Sequence, residues 1–219
     1  MLEDLKGYAF KSTRSKKEVC RDWKLYVITM PDTDLPQKVR QAVLGGADVV
    51  QLRDKDATDE DLTRQARALL EVTRPLGVPL IVNDRVRVAK AAGADGLHLG
   101  QEDGRLNAAR MILGEDIILG RSTHSPEQVL AAEKEGFDYI GVGPVFETPT
   151  KAGRPAVGLE LVRFAAQKCH VPFVAIGGID QNNIRKVREA GAGAVAVVRA
   201  VFASDDARQA AGKLKMFLS

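Results

Sequence analysis

Eight short apolar runs recur along this chain, separated by longer segments of helical periodicity, and few folds satisfy that alternation. The runs are KLYVIT (24–29), DVVQL (48–52), PLIV (79–82), GLHL (96–99), IILG (117–120), YIGV (139–142), FVAI (173–176) and AVAVV (194–198). Apolar residues at nearly every position mark strands covered on both faces, as in parallel sheets. Helical spacing over 58–74 and over 125–135, with Pro126 near the start of the second, supplies the crossovers. Gly45-Gly46-Ala47-Asp48, Gly93-Ala94-Asp95 and Gly191-Ala192-Gly193 each put glycine where a helix ends, directly before a strand. The expected fold is α/β, a single (β/α)8 TIM barrel over residues 24–219, preceded by a short N-terminal extension, 1–23.

Composition narrows the function classes. Of the 219 residues, 45% are hydrophobic and 28% charged, which suits a globular chain with a substantial core. No apolar run reaches the roughly 20 residues that span a bilayer, and no hydrophobic leader opens the sequence, so the expectation is a cytoplasmic protein without a membrane partner. Cys20 and Cys169 stand apart from each other and from any Cys/His cluster, so neither a disulfide framework nor a zinc site is expected. The net charge of +3 comes from residues 1–24, which hold seven Lys/Arg against four Asp/Glu. A charge-balanced body with 5% aromatic residues argues against a nucleic-acid partner. The run KSTRSKK (11–17) reads as a solvated tail rather than as a helix across the barrel's bottom, since charge runs are usually solvated.

In such a barrel the chemistry gathers where the strands end. There the sequence places Arg53-Asp54-Lys55, Asn83-Asp84-Arg85, Gly100-Gln101-Glu102-Asp103, Arg121-Ser122-Thr123-His124 and, after strand six, Thr148-Pro149-Thr150-Lys151. Arg53, Lys55 and Lys151 bring fixed positive charge; Ser122, Thr148 and Thr150 bring hydroxyl donors; Asp84 and Asp103 bring hard oxygen ligands. That set suits a polyphosphate with Mg²⁺, which takes one or two carboxylates and fills its shell with phosphate oxygens and water. Gly177-Gly178 after strand seven and Val198-Arg199 at strand eight suggest a second anion site, for a phosphate monoester held by backbone amides. Among the histidines, His98 reads as packed or hydrogen-bonded inside the barrel, His124 as shared between helix-start bonding and catalysis, and His170 as a surface residue. No order or spacing suggests a covalent nucleophile.

Taken together, QLRDK (51–55), NDR (83–85), DGLHLGQED (95–103), STHS (122–125), DYIGVGPVFETPTK (138–151) and AIGGI (175–179) make the chain resemble the thiamine phosphate synthase family from about Lys24 to its end. The resemblance implies a transferase that joins a hydroxymethylpyrimidine diphosphate to a hydroxyethylthiazole phosphate, or its carboxythiazole form, with release of diphosphate. It further implies that Gln51, Arg53, Lys55, Asn83, Ser122 and Lys151 hold the pyrimidine diphosphate, with Arg53, Lys55, Ser122 and Lys151 acting on the reaction itself. Asp84 and Asp103 then hold Mg²⁺, and Thr148, Thr150, Gly178, Val198 and Arg199 the thiazole phosphate. The implied partners are these two small molecules, with a homo-oligomer left open. Arg199 departs from the family's pattern, where serine is expected. The alternatives are a thiazole tautomerase on the same barrel, which lacks the diphosphate and metal set, and a non-catalytic protein that binds thiamine precursors.

Overall fold

The computed structural model describes residues 15–148 and 155–218, the side chain of Lys17 apart. Helix α1 (Lys16–Asp22) leads into β1 (Leu25–Ile28), α2 (Leu35–Leu44), β2 (Val49–Leu52), α3 (Asp59–Thr73) and β3 (Leu80–Asn83). Then come α4 (Val86–Ala92), β4 (Gly96–Leu99), α5 (Leu106–Leu113), β5 (Ile118–Thr123), α6 (Pro126–Glu135) and β6 (Tyr139–Val142). The chain continues through α7 (Gly158–Lys168), β7 (Phe173–Ile176), α8 (Ile184–Glu189), β8 (Ala194–Val197), α9 (Arg199–Phe202) and α10 (Ala207–Met216). Each strand pairs in parallel with the next, and β8 returns to β1 through Tyr26 opposite Ala196, closing the barrel.

Strand alternation divides the core in two. Leu25, Val27, Val50, Leu52, Leu80 and Val82 belong to the layer between strands and helices. Tyr26, Ile28, Val49, Ile81, Ile118, Tyr139 and Val174 fill the barrel's interior. Space inside is tight enough to dictate glycine at one neighbour of Tyr139. A Cβ on Gly120, which faces Tyr139 across the β5–β6 ladder, would lie 2.2 Å from that ring.

Two expectations need correction. Residues 121–123 do not leave the sheet: Arg121, Ser122 and Thr123 stay in register with Ile140, Gly141 and Val142, so β5 runs on to Thr123. Because alternate residues face opposite sides, Ser122 turns inward and Arg121 outward. The segment before β1 is also not simply solvated. Ser15 caps α1 in a reciprocal pair with Glu18, and the helix packs beneath the strands with Cys20 and Trp23 buried. Trp23 meets Tyr139 and Tyr26 edge-on, ring centroids 5.0 and 5.7 Å apart. Of KSTRSKK, residues 11–14 lie outside the described residues.

The bottom of the barrel carries a repeated clamp. Asp48, Asp95 and Asp138 each stand one residue before an even-numbered strand. They accept from the amides of Leu25 (2.8 Å), Leu80 (2.9 Å) and Leu119 (2.8 Å) on the strand before. Each faces a cation: Lys215, Arg74 and Arg110 respectively. The fourth equivalent position, before β8, is Gly193, and a Cβ there meets nothing within 4 Å. Gly193→Asp should therefore complete the set and raise stability by about 1 kcal/mol, a rise of roughly 2–4 °C in Tm for a chain this size. A thermal melt showing no rise would mean that an aspartate in this position does not capture the β7 amide.

Candidate active site

The upper ends of the strands form two adjoining cavities. The smaller, about 50 Å³, is walled by Gln51, Arg53, Asn83, His98 and Ser122 over a floor that includes Tyr26 and Tyr139. Polar groups at this depth must be paired, and here they pair in series. Gln51 Nε2 donates to the Tyr26 hydroxyl at 2.8 Å, and the Tyr26 and Tyr139 hydroxyls lie 2.9 Å apart. His98 Nδ1 meets the Tyr139 hydroxyl, and its Nε2 meets Ser122 Oγ, both at 2.9 Å. Burial pushes both phenols well above their ordinary pKa, so they stay neutral. Arg53 follows β2 directly, its amide fixed by Thr29 Oγ1 at 3.0 Å.

The larger cavity, about 370 Å³, is lined by Thr148, Gly177, Gly178, Asp180, Val198 and Arg199. Ile176, Ala196 and Val198 line both cavities, so their occupants would share a wall. Gly177 and Gly178 have φ of 106° and 63°, and a Cβ on Gly178 would come within 2.7 Å of Glu147 O. A side chain fits neither the backbone conformation nor the space. Asn183 braces this turn, donating from Nδ2 to Gly178 O at 2.8 Å. Arg199 begins the short helix α9 with its side chain exposed.

Between the ends of β3 and β4 two carboxylates meet. Asp84 has φ 61°, in the left-handed region, with its amide held by His98 O at 2.8 Å. Burial first, and then Asp103 through a hydrogen bond and like-charge repulsion, pushes its pKa up to about 6 against the pull of Lys55 and Asn83. Asp103 is placed by Gly100, whose amide donates to its Oδ2 at 2.7 Å. A carboxylate pair this close is suited to sharing a hard divalent cation. Among the described residues no three His, Cys, Asp or Glu gather as zinc would require.

Of the expected residues, Gln51, Arg53, Asn83 and Ser122 converge on the smaller cavity, and Thr148, Gly178, Val198 and Arg199 on the larger. Lys55 stands beside the carboxylate pair, whereas Thr150 and Lys151 lie outside the described residues. His98 is bonded inside the barrel as expected. His124 serves the helix start, its amide donating to Gln128 Oε1 and its Nδ1 meeting Gly143 O. His170 is exposed beside Glu133.

Several supporting roles escaped the sequence reading. Arg85 ties the loop after β2 to its own, donating to Lys55 O at 2.9 Å and Ala57 O at 2.6 Å. Arg121 anchors the Asp103 loop by donating to Gly104 O at 2.8 Å and Gln101 O at 3.2 Å. Tyr26 and Tyr139 were also missed, although their inward parity, shared with Ile28 and Gly141, was a usable signal.

Known proteins of the same kind bear on this geometry. The profile described as thiamine monophosphate synthase matches residues 25–201. A thiamine-phosphate synthase of Synechocystis is 48% identical over 195 residues, covering 89% of this chain and 57% of that protein. One from Syntrophomonas wolfei is 44% identical over 199 residues, covering 89% of this chain and 95% of that protein. The chain thus spans about half the length of some of these relatives and nearly all of others. Among solved structures, a thiamine phosphate pyrophosphorylase from Pyrococcus furiosus superposes with a TM-score of 0.83 at 37% identity, over 91% of this chain and 97% of that one.

Proposed function

Since this chain belongs to the thiamine monophosphate synthase family, we propose that it condenses 4-amino-2-methyl-5-hydroxymethylpyrimidine diphosphate with hydroxyethylthiazole phosphate, or its carboxythiazole form, to thiamine phosphate and diphosphate. The observation that carries this reading is the pair of cavities joined at Ile176, Ala196 and Val198, one with arginine and a nearby carboxylate pair, the other with a glycine turn. Two anionic reactants bound there would face each other across a common wall.

In this reading Gln51 and Asn83 read the pyrimidine edge, and Arg53, Lys55, Ser122 and Lys151 gather the diphosphate. Gly178, the Val198-Arg199 backbone, Thr148 and Thr150 take the thiazole phosphate. Mg²⁺ bound by Asp84 and Asp103 would neutralise charge growing on the leaving diphosphate. The C–O bond to diphosphate breaks first, its electron pair leaving with the phosphate oxygen, where Arg53, Lys55 and Lys151 compensate the charge. The thiazole nitrogen then gives its lone pair to the pyrimidine-methyl carbon. No proton moves, so the step asks for no general base, and the neutral phenols and His98 below the rim serve as bonded groups instead. Catalysis is charge compensation plus alignment. Among the described residues no helix is long and apolar enough to cross a membrane; the reading is of a cytoplasmic enzyme acting on small molecules, with no nucleic acid required.

The test is to mix both phosphorylated precursors, the protein and Mg²⁺ and to assay thiamine phosphate. Its appearance supports the reading. A shifted thiazole double bond without condensation would assign an isomerase instead, and binding with no product a non-catalytic role. Arg199 gives a sharper prediction, because a guanidinium can grip phosphate bidentately whereas a serine adds one hydroxyl. Arg199→Ser should raise the KM for the thiazole phosphate about ten-fold, some 1.4 kcal/mol, and spare the pyrimidine diphosphate. Separate variation of the two substrates measures this, and an unchanged thiazole KM would place the guanidinium in solvent.

A further inference from the structure

Four hydrogen bonds run in series through the barrel, linking residues of five strands: Gln51 to Tyr26, Tyr26 to Tyr139, Tyr139 to His98, and His98 to Ser122. Proton counting gives this series a direction. An amide nitrogen can only donate, and each hydroxyl has one proton to give. With Gln51 Nε2 donating to Tyr26, and with each buried hydroxyl proton requiring a partner, the Tyr26 proton goes to the Tyr139 oxygen. Tyr139 in turn spends its proton on His98 Nδ1. A neutral imidazole that accepts at Nδ1 carries its proton on Nε2, and that proton goes to Ser122 Oγ. The Ser122 proton is the one member of the series not used below.

We propose that this one-way series fixes His98 as the Nε2–H tautomer and leaves the Ser122 hydroxyl free to donate into the cavity, making Tyr26, Tyr139 and His98 positioning residues for the diphosphate. If the arrows ran the other way, Ser122 would donate down to His98 and present only lone pairs upward. To an anion the first arrangement is a donor and the second a repulsive acceptor. The series is buried at every link, with Gln51, Tyr26, Tyr139, His98 and Ser122 all nearly inaccessible. Water therefore competes little for its protons. The directional choice is made at Gln51, on the far side of the barrel from the hydroxyl it controls.

The proposal rests on the diphosphate reading of this rim, so its test separates the two. In the free protein labelled with 15N-histidine, long-range 15N–1H NMR reports each tautomer. The chain has three histidines, and His124→Gln and His170→Gln variants assign the His98 signals. The expected result is Nε2–H for His98, shifting to a mixture of tautomers in Tyr26→Phe, which keeps the ring against Trp23 and removes one oxygen. A wild-type Nδ1–H tautomer would overturn the series whatever the enzyme turns over. Calorimetric titration with inorganic diphosphate and Mg²⁺ should show about ten-fold weaker binding to Tyr26→Phe, and the KM for the thiazole phosphate should not move. In Ser122→Ala, adding Tyr26→Phe should cost nothing further. Equal diphosphate affinity in wild type and Tyr26→Phe, or additive losses in the double variant, would overturn the positioning role. The expected tautomer and diphosphate binding without any thiamine phosphate formed would overturn the proposed reaction and leave the series standing.

Discussion

Asp84→Ala and Asp103→Ala each lower kcat by about 10³-fold, an expected loss of roughly 4 kcal/mol of transition-state stabilisation. Both side chains lie at the rim, outside the two core clusters, so the variants should fold normally and the loss should appear in turnover. Chelation of divalent ions should reproduce it, and full activity with chelator present would overturn the metal assignment. Lys151→Ala should weaken diphosphate binding non-additively with either variant if, as proposed, all three act on one ligand.

The metal-free protein gives a second readout of the same pair. Asp84 is raised to about 6 from 3.8 by burial and by Asp103. A carboxyl whose folded pKa lies above its unfolded value penalises the fold while it is ionised. That penalty is full above pH 6, and stability is regained as pH falls from 6 towards 4. Asp84→Asn should therefore melt higher than wild type at pH 7.5 without metal and should lack the upward trend of Tm on acidification. Identical Tm profiles would show that neither burial nor Asp103 raises Asp84 in solution.

At the opposite end of the barrel, Asp138→Ala should cost about 3–5 kcal/mol, on the order of 10 °C in Tm. Asp138 is 4% exposed, accepts from Leu119 N at 2.8 Å and meets Arg110 Nη2 at 2.7 Å. Removing it leaves a mostly buried guanidinium without its carboxylate and a strand amide without its acceptor, which is far more costly than losing an exposed ion pair. Arg110→Met placed on top should recover part of the loss, since the uncompensated charge goes with it. Because the clamp stands below the strands, kcat per folded molecule should not change. A melt within 2 °C of wild type would mean that Glu115, 3.8 Å from Arg110 Nε, and solvent already satisfy this corner.

The sequence and structure agree where local pattern decides. Each β strand shows as a run of apolar residues, and strand ends told which polar residues would meet, because in a parallel barrel all the C-terminal ends share one rim. Disagreement begins where register decides. Ser122 looks like a loop residue by composition, yet pairing with Gly141 keeps it in β5. Tyr26 and Tyr139 lie 113 residues apart and meet only because closure sets their strands at matching heights. In α1 and at its C-cap, the lysines mask three apolar residues, Val19, Cys20 and Trp23, whose packing outweighs the solvation of their neighbours. No local signal shows that Arg121 points at the Asp103 loop, since that depends on which face of β5 is turned outward.

The first of the bottom clamps has a consequence for synthesis on the ribosome. Asp48 belongs to the beginning of the barrel, but the lysine that neutralises it, Lys215, is made 167 residues later, on α10. The seam beside it is equally late, since β1 waits for β8 and Val195 donates to Lys24 O only when that strand arrives. Until then a growing chain holds β1 as an open edge, able to pair with any other strand it meets. Domains made in pieces can fold piece by piece as they emerge, but here the earliest strand and the last helix complete one joint. A chain released before α10 would thus leave Asp48 and the face of α2 that α10 covers exposed, and its expected fate is aggregation rather than a smaller working barrel.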